Sequence, residues 1–244
     1  MRVYNTRFNP TTNGPLHVGH LYMIKINEHM AHAHGGKFII RFDDNQKFYR
    51  MTKTHEELVR IREEMQADVL WAGVKVDEWS SQLEMESVTK RYLLEFNGHP
   101  LPMQEQFQSR TNPDIHNAMT MGYPYAPTLT AEKVILDALD YITILIRGED
   151  LICEYSLYMY FCNIWNLGAP EHIYLPRMML THNTELGESS EHISKTRGGH
   201  TVQELREQGW TPAELEEALR KSCLHDPVAG WTLENLKGQP LWKE

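Results

Sequence analysis

Two histidines near the N-terminus, His17 and His20, have the type and spacing to bind phosphate. They flank Gly19 in the sequence HVGH, after a turn rich in Gly, Pro and Asn and at the start of an apolar segment, Val18 to Ala33, with helical periodicity. A helix N-terminus offers unpaired N–H groups and partial positive charge, which favour an anion. Imidazoles there can donate hydrogen bonds to a phosphate that gains charge in a transition state. The alternative, a pair of surface histidines beside a helix cap, is the weaker hypothesis because of the preceding turn.

Ser194 and Lys195, in the sequence ISKTRGG, are a second candidate for phosphate binding. A loop of small residues can bring one ammonium group onto a triphosphate and withdraw it afterwards, and lysine acts on phosphate as a compact point charge. Taken alone, the pattern also fits a solvated surface loop. Its position after HVGH, in a chain of alternating strands and helices, is what favours a shared site.

Charged residues at the ends of predicted strands form a third group, which is suited to an amino acid. Arg7 ends the first strand, Asp43 follows the second, and Arg147 follows a later one. The carboxylate of Asp43 could hold an α-ammonium group, and the two guanidinium groups could hold a side-chain carboxylate through forked hydrogen bonds. The alternative is that Arg147 merely forms a surface ion network with Glu149 or Asp150.

The elements that position these residues alternate between strand and helix, so we predict an α/β fold with a parallel sheet. Strands are predicted over Arg2–Phe8, Lys37–Phe42, Ile142–Ile146 and Glu171–Leu180. Helices are predicted over Val18–Ala33, Thr54–Ala72, Thr130–Leu139, Ile152–Leu167, Thr201–Gln208 and Thr211–Cys223. All three groups of candidate residues then lie at the strand ends where ligands bind in open parallel sheets.

Polar segments separate these elements and predict the domain organisation. Asn97–Tyr125 is polar and rich in proline, which indicates a connecting insertion at the rim of the site, and residues 181–200 read as a polar loop. We therefore expect residues 1–80 and 123–200 to be the two halves of one catalytic domain. Residues 81–122 would be a short insertion, and residues 201–244 a small helical C-terminal segment.

Composition narrows the class of protein. The 244 residues are 41% hydrophobic and 23% charged, as in a soluble globular protein, with no apolar run long enough to span a bilayer and no signal peptide. The three cysteines are widely spaced, so neither a disulfide framework nor a cysteine-rich zinc site is expected. We therefore expect a cytoplasmic location. A net charge of -9 argues against large-area non-specific binding to nucleic acid, but it leaves a local RNA site open.

The chain resembles the catalytic core of class I glutamyl- and glutaminyl-tRNA synthetases in five segments: TRFNPTTNGPLHVGH, GGKFIIRFDDNQ, IRGED, HISKTRG and LREQGWTPAELEEALRK. HVGH resembles the HIGH signature of that family, and ISKT resembles its KMSKS signature. The likeness covers roughly residues 5–80 and 123–222. It implies a Rossmann-like (HUP-type) sheet flanked by helices.

The resemblance also implies ATP-dependent activation of an amino acid, with an aminoacyl-adenylate and pyrophosphate as products. The ATP-binding residues of the family match His17, Gly19, His20, Ser194 and Lys195. Among these, the two histidines and the lysine would act on the phosphates in catalysis. Mg²⁺ would arrive with ATP, and no zinc is expected because the insertion holds no cysteines.

The amino acid would bind through Arg7, Thr11, Asp43 and Arg147. Asp43 matches the acid that holds the α-amino group, while Arg7 and Arg147 match arginines that reach the substrate side chain. Two arginines suit a carboxylate better than an amide, which favours glutamate. Glutamine stays open, because the sequence FDDN is closer to the glutaminyl branch.

Several departures from the family pattern concern the substrate and the acceptor. Leu129 falls where the family has a substrate-contacting tyrosine, and His192 stands at the first lysine of KMSKS. The insertion is short, and no anticodon-binding domain is expected. The acceptor could therefore be tRNA or a modified tRNA nucleoside, or a small amine or carrier protein in an amide ligase. A non-catalytic paralogue is the remaining alternative.

Overall fold

The computed structural model describes residues 2–44, 53–95, 126–175, 179–184, 187–192 and 201–223. Its strands are β1 (Thr6–Phe8), β2 (Phe38–Phe42), β3 (Glu78–Ser81), β4 (Ile144–Gly148), β5 (Glu171–Leu175), β6 (Met179–Thr184) and β7 (Gly187–His192). Its helices are α1 (Val18–Ala33), α2 (His55–Trp71), α3 (Glu86–Glu95), α4 (Ala126–Leu139), α5 (Tyr155–Ile164), α6 (Val202–Glu207) and α7 (Pro212–Cys223), with a 3₁₀ helix (Glu149–Glu154) before α5. Within these ranges, every helix is too short or too polar to cross a bilayer.

Two parallel ladders, β3-β2-β1 and β4-β5, lie next to each other. Parallel ladders join β1 to β2, β2 to β3, and β4 to β5. The amides of Thr143 and Ile144 donate to the Asn5 carbonyl at 3.0 and 3.3 Å, which places β4 beside β1. The strand order thus reverses between β1 and β4, and ligands of doubly wound sheets bind at such a switch point. The predicted α/β fold with a Rossmann-like parallel sheet is confirmed.

Alternate residues of β2 face opposite layers of helices. Phe38, Ile40 and Phe42 pack in the cluster that contains the buried residues of α1 and α2. Ile39 packs in a second cluster with residues of α4 and α5. Arg41 faces the same layer as Ile39 and is fully buried there. A charged residue in the centre of a buried strand indicates that this second layer carries more than apolar packing.

Capping residues define where α2 begins, as the sequence predicts. The Glu57 amide donates to Thr54 Oγ1 at 3.2 Å, and the Thr54 amide donates to a Glu57 carboxylate oxygen at 2.6 Å. These two bonds satisfy N–H groups that a helix start leaves without an intrahelical partner. The predicted helix over Thr54–Ala72 corresponds to α2.

The segment from 171 to 192 differs from its prediction. One strand was expected over Glu171–Leu180, but β5 ends at Leu175 and β6 begins at Met179. The polar loop expected over residues 181–200 is wrong for its first part, because β6 and β7 form an antiparallel pair from Met179↔His192 to Thr184↔Gly187. Backbone hydrogen bonds define this pair, and its polar side chains show no apolar period that a sequence could reveal.

Other elements also differ from the sequence-based boundaries: β1 begins at Thr6 rather than Arg2, and α4 begins at Ala126 rather than Thr130. α5 begins at Tyr155 rather than Ile152, because the preceding turn is a 3₁₀ helix. α3 lies where residues 81–122 were expected to form an insertion. The rest of that predicted insertion, over Asn97–Tyr125, and the tail after Cys223 lie outside the described residues.

Candidate functional site

His17 is the N-cap of α1, as HVGH suggests, and the two histidines cap the helix with their own rings. Nδ1 of His17 accepts from the Gly19 amide at 3.1 Å, and Nδ1 of His20 accepts from the His17 amide at 3.2 Å. The rings stack with centroids 3.7 Å apart. An accepting imidazole nitrogen holds no proton, so each neutral ring carries its proton on Nε2. Both rings therefore hold the tautomer that can donate from Nε2 to a phosphate.

Gly19 lies directly against the His17 ring. A Cβ at position 19 would lie 3.0 Å from Cε1 and 3.1 Å from Nδ1 of His17. A glycine in such a turn also lets a backbone or a flat base come close. The structure adds an internal reason, because a larger residue would press against the capping imidazole.

The residues that follow the predicted Ser194–Lys195 loop lie beside the HVGH turn. Ser194 and Lys195 themselves are outside the described residues. Thr201, however, forms an antiparallel bridge with His17, and the Val202 amide donates to the Leu16 carbonyl at 2.9 Å. Lys195 precedes Thr201 by six residues in the sequence, and its role at the phosphates stays a prediction.

Arg7 is held by a carboxylate of the protein itself. Its Nε and Nη2 each donate to Asp137 at 2.9 Å, and Arg41 Nη1 and the Tyr158 hydroxyl donate to the same carboxylate at 2.8 and 2.9 Å. Burial would raise the pKa of Asp137, but Arg7 and Arg41 lower it below its ordinary value. Arg41 also pairs with Asp140. The forked edge of Arg7 that was expected to bind substrate is therefore occupied, and only Nη1 lies outside this pair.

Arg147, at the end of β4, has its forked edge available to a ligand, whereas the same edge of Arg7 binds Asp137. Its side chain is buried, and Nη1 donates to Glu154 at 3.2 Å. Nε and Nη2 are also buried, and neither has a hydrogen-bond partner among the described residues. These two nitrogens share one edge of the guanidinium, the edge with which Arg7 binds Asp137. A carboxylate could accept both hydrogen bonds of that edge at once.

Asp43 follows β2 and lies against the turn that leads to HVGH. Its amide donates to the Pro10 carbonyl at 2.9 Å, its carbonyl accepts from the Thr12 amide at 3.2 Å, and it pairs with Thr11 as a parallel bridge. Its Oδ1 is buried and has no hydrogen-bond partner within the described part of the chain. Burial raises the pKa of Asp43, and the positive charge of Lys133 opposes that shift. Asp43 is thus placed to accept from an ammonium group.

Lys133 and Glu154 complete the charged group, and the sequence did not predict either. Oε2 of Glu154 lies 3.7 Å from Lys133 Nζ and 3.2 Å from Arg147 Nη1. Although burial opposes ionisation, Lys133 and then Arg147 lower the pKa of Glu154. Lys133 precedes Asp137 by one helical turn on α4, so the two share a face. A carboxylate inside the apolar run VILDAL was the available signal for this face.

His172, on β5, also borders these charges. Its Nδ1 lies 3.2 Å from the Tyr174 hydroxyl, and its ring meets Tyr158 edge-on at 4.9 Å. Burial, and then the charges of Arg147 and Arg7, lower the pKa of His172 to about 3. The imidazole is therefore neutral near pH 7, and it adds no positive charge to the site.

The described residues include no group of three or more His, Cys, Asp or Glu side chains that could hold a metal ion. A separate cavity of about 550 Å³ lies between α2 and α6, and its lining includes Pro15, Trp71 and Arg206. Arg206 donates to Asp68 at 3.1 Å beside it. This cavity contains none of the residues predicted to bind ATP or the amino acid, so the charged strand ends, rather than this cavity, are the candidate site.

The fold is that of the class I tRNA synthetases. The structure resembles the crystal structure of glutamate-tRNA synthetase from Elizabethkingia anophelis, with a TM-score of 0.61 and 15% sequence identity. The superposed region covers 89% of this chain and 61% of that one. At this identity the likeness concerns the fold alone.

Sequence comparisons find relatives of the same class, mostly over the first part of the chain. Residues 3–95 match the family model of class I tRNA synthetases (E and Q), catalytic domain. Glutamate–tRNA ligase of Methanocaldococcus jannaschii is 34% identical over 96 residues, which cover 38% of this chain and 16% of that protein. The enzyme of the same name from Hydrogenobaculum sp. is 23% identical over 98% of this chain and 61% of its own length. The chain thus spans only part of these relatives, and the predicted resemblance to class I glutamyl- and glutaminyl-tRNA synthetases is confirmed.

Proposed function

We propose that this protein activates glutamate with ATP and transfers the glutamyl group to tRNA or to a modified tRNA nucleoside. One observation carries the proposal: two buried groups, at the ends of the strands β2 and β4 on either side of β1, lack a partner among the described residues. Arg147 offers the donor edge Nε–Nη2, and Asp43 offers the acceptor Oδ1. A buried polar group left unpaired costs about 1–3 kcal/mol, so a ligand that pairs both would be strongly favoured. Glutamate has the required carboxylate and ammonium groups.

The activation step uses the α-carboxylate of that glutamate. One carboxylate oxygen attacks the α-phosphorus of ATP, the bond from this phosphorus to the bridging oxygen of the β-phosphate breaks, and pyrophosphate leaves. Negative charge grows on the phosphate oxygens, where Nε2–H of His17 and of His20 can donate. Lys195 would balance the charge of the leaving pyrophosphate. Mg²⁺ would arrive on ATP and neutralise part of the triphosphate charge.

Glutamate is favoured over glutamine by the geometry of the Arg147 edge. Two parallel N–H groups match two carboxylate oxygens, whereas a carboxamide would turn its own N–H₂ donor toward one of them. A mismatch of this kind leaves a buried donor unpaired and costs affinity. Thr11, which pairs with Asp43, would lie near the ammonium end of the same substrate.

The acceptor is proposed from the relatives, which are glutamate–tRNA ligases. One observation favours a second candidate, an amide ligase that uses a small amine or a carrier protein. The net charge of -9 gives little general attraction for RNA. The activation step is common to both candidates, so it can be tested separately from the acceptor.

ATP–pyrophosphate exchange tests the activation step. We expect exchange that depends on glutamate when each of the twenty amino acids is supplied in turn, with and without total tRNA. His20→Ala should lower the rate by about tenfold or more, since it removes a hydrogen-bond donor to the transition state. Exchange with a different amino acid would contradict the assignment of Arg147, and no exchange in either arm would contradict enzymatic activation.

A second assay identifies the acceptor. Labelled glutamate is incubated with enzyme, ATP and total tRNA, and acid-precipitable label is measured before and after ribonuclease treatment. Label that ribonuclease releases supports the tRNA proposal. Activation without such label, combined with amide formation from added amines or a carrier protein, would support the amide ligase instead.

A further inference from the structure

We propose that the Lys133–Glu154 ion pair sets the selectivity of this site between a carboxylate and a carboxamide side chain. The proposal rests on the proposed function, because it concerns the amino acid that the same site would bind. Both residues reach the site from α4 and from the 3₁₀ helix before α5. Their side chains are only 12% and 10% exposed, so solvent screens them weakly.

Glu154 positions Arg147 and occupies one of its nitrogens. Oε2 accepts from Arg147 Nη1 at 3.2 Å, which leaves the Nε–Nη2 edge for a ligand. The same oxygen lies 3.7 Å from Lys133 Nζ, so both cations share one carboxylate. Glu154 therefore acts as an internal counter-ion for the group that would bind the substrate side chain.

Charge counting shows why this pair matters for selectivity. Lys133 and Arg147 carry two positive charges, and Glu154 and ionised Asp43 carry two negative charges. The neighbouring arginines are balanced separately, because Arg7 and Arg41 pair with Asp137 and Asp140. With Asp43 as a carboxylate these four charges thus balance before a ligand binds, and Asp44, beside Asp43, pairs with Arg62. Adding or removing one buried charge should change the preference for an anionic over a neutral side chain.

The direction of each change follows from the sign of the charge. Glu154→Gln keeps an acceptor for Arg147 but makes the site one unit more positive, which favours glutamate over glutamine. Lys133→Met makes the site one unit more negative, which has the opposite effect. The double variant restores neutrality. A purely structural role for the pair would not produce effects of opposite sign that cancel.

The test compares glutamate with glutamine in the full chain, both by calorimetric binding and by kcat/KM in ATP–pyrophosphate exchange with tRNA. We expect the glutamate-to-glutamine ratio to rise about tenfold in Glu154→Gln and to fall about tenfold in Lys133→Met. In the double variant the ratio should return to within about threefold of the wild type. Lys133→Arg, which keeps the charge, should retain the wild-type ratio.

The Lys90–Glu86 pair on α3, with side chains 59% and 25% exposed, supplies matched controls. Its Nζ–Oε1 distance is 3.1 Å, and Lys90→Met and Glu86→Gln make the same charge changes outside the site. Both should leave the ratio unchanged. Thermal unfolding shows whether each variant folds. If Lys133→Met does not fold, Glu154→Gln alone tests the proposal.

The outcomes separate this proposal from the proposed function. If the wild type uses glutamate but the ratio stays constant in all variants, the ion pair does not set selectivity and the proposed function stands. The single variants could instead lose kcat/KM equally for both amino acids, with the two losses adding in the double variant. That result would likewise reduce the pair to a structural role. If the wild type neither binds nor activates either amino acid, the proposed function fails and this proposal fails with it.

Discussion

Arg7 and Arg147 both have a guanidinium edge formed by Nε and Nη2. In Arg7 this edge binds Asp137, whereas in Arg147 it has no acceptor among the described residues. The sequence predicts both arginines at strand ends, since strand ends follow from local patterns. It does not predict the difference, because Asp137 lies 130 residues from Arg7 and only the folded sheet brings them together. For the same reason Lys133 and Glu154 were missed, although both lie close to predicted residues in space.

Asp137→Asn should destabilise the protein strongly. Asp137 balances Arg7 and Arg41, and all three side chains are buried. Removing one partner of a buried ion network costs about 3–5 kcal/mol, because the remaining charges stay buried without compensation. Urea unfolding monitored by circular dichroism would measure this loss.

Glu64→Gln is the control for that substitution, since Glu64 pairs with Arg60 on the exposed surface of α2. Its effect should stay below about 1 kcal/mol. A loss in Asp137→Asn as small as the control would mean that the network does not hold Arg7 in place.

Helix α1 shows how an element can be predicted while the reason for its start is not. The apolar period of Val18–Ala33 predicts the helix, and the structure confirms its bounds. Histidine is not among the residues that usually cap helices, so the reciprocal bonds between His17 and His20 could not be read from propensity. The pair β6–β7 is the opposite case, because its polar residues give no period and the strands are defined by their backbone ladder.

Gly19→Ala should separate stability from activity. Alanine is favoured over glycine within a helix by about 1 kcal/mol, so the free energy of unfolding should hold or rise. The new Cβ would lie 3.0 Å from the His17 ring, so the imidazole would have to move by a few tenths of an ångström from its capping position. We therefore expect glutamate-dependent exchange to fall about tenfold or more while the thermal midpoint does not fall.

Gly14→Ala is the control in the same turn, because a Cβ there would meet no atom within 4 Å. It should leave exchange near the wild-type rate. Equal losses in both variants would indicate a general effect of the turn rather than a displaced His17.

The whole molecule combines two regions of the chain that differ in how closely their sequences match the synthetase family model. The family match covers residues 3–95, which supply β1, β2, β3 and the HVGH turn. Residues after 126 supply the carboxylates that balance Arg7 and Arg41, and the edge of Arg147. Strand and helix periods predict most of the sheet, whereas the ion network depends on contacts between distant segments that no local pattern contains.

Stability should fall as the solution is made acidic, and His172 should contribute to this fall. Its pKa is about 3 in the folded protein, against an ordinary value of about 6.5. Below pH 6.5 the unfolded chain binds a proton that the folded chain does not. The free energy of unfolding should therefore decrease by up to about 1.4 kcal/mol per pH unit from this residue as the pH falls toward 5.

The measurement is chemical unfolding at several values between pH 5 and 7, with His172→Gln beside the wild type. In the variant, the free energy of unfolding should depend less steeply on pH, and the difference should correspond to at most one bound proton. Comparison of the two proteins removes the opposite contributions of Asp43 and Asp68, whose pKa values are raised by burial. His55→Gln, at the exposed start of α2, is the control, and equal slopes in His172→Gln and the wild type would rule out this role.

The three-way sharing of Asp137 has a practical consequence for dividing this chain into fragments. A fragment cut after residue 95, where the family match ends, would keep Arg7 and Arg41 but lose their only carboxylates among the described residues. It would also expose Ile39 and leave β1 as an open sheet edge. Such an edge invites association with other chains. The two pieces would need to be produced together, and the ion pairs of Asp137 with Arg7 and Arg41 would then hold one piece to the other.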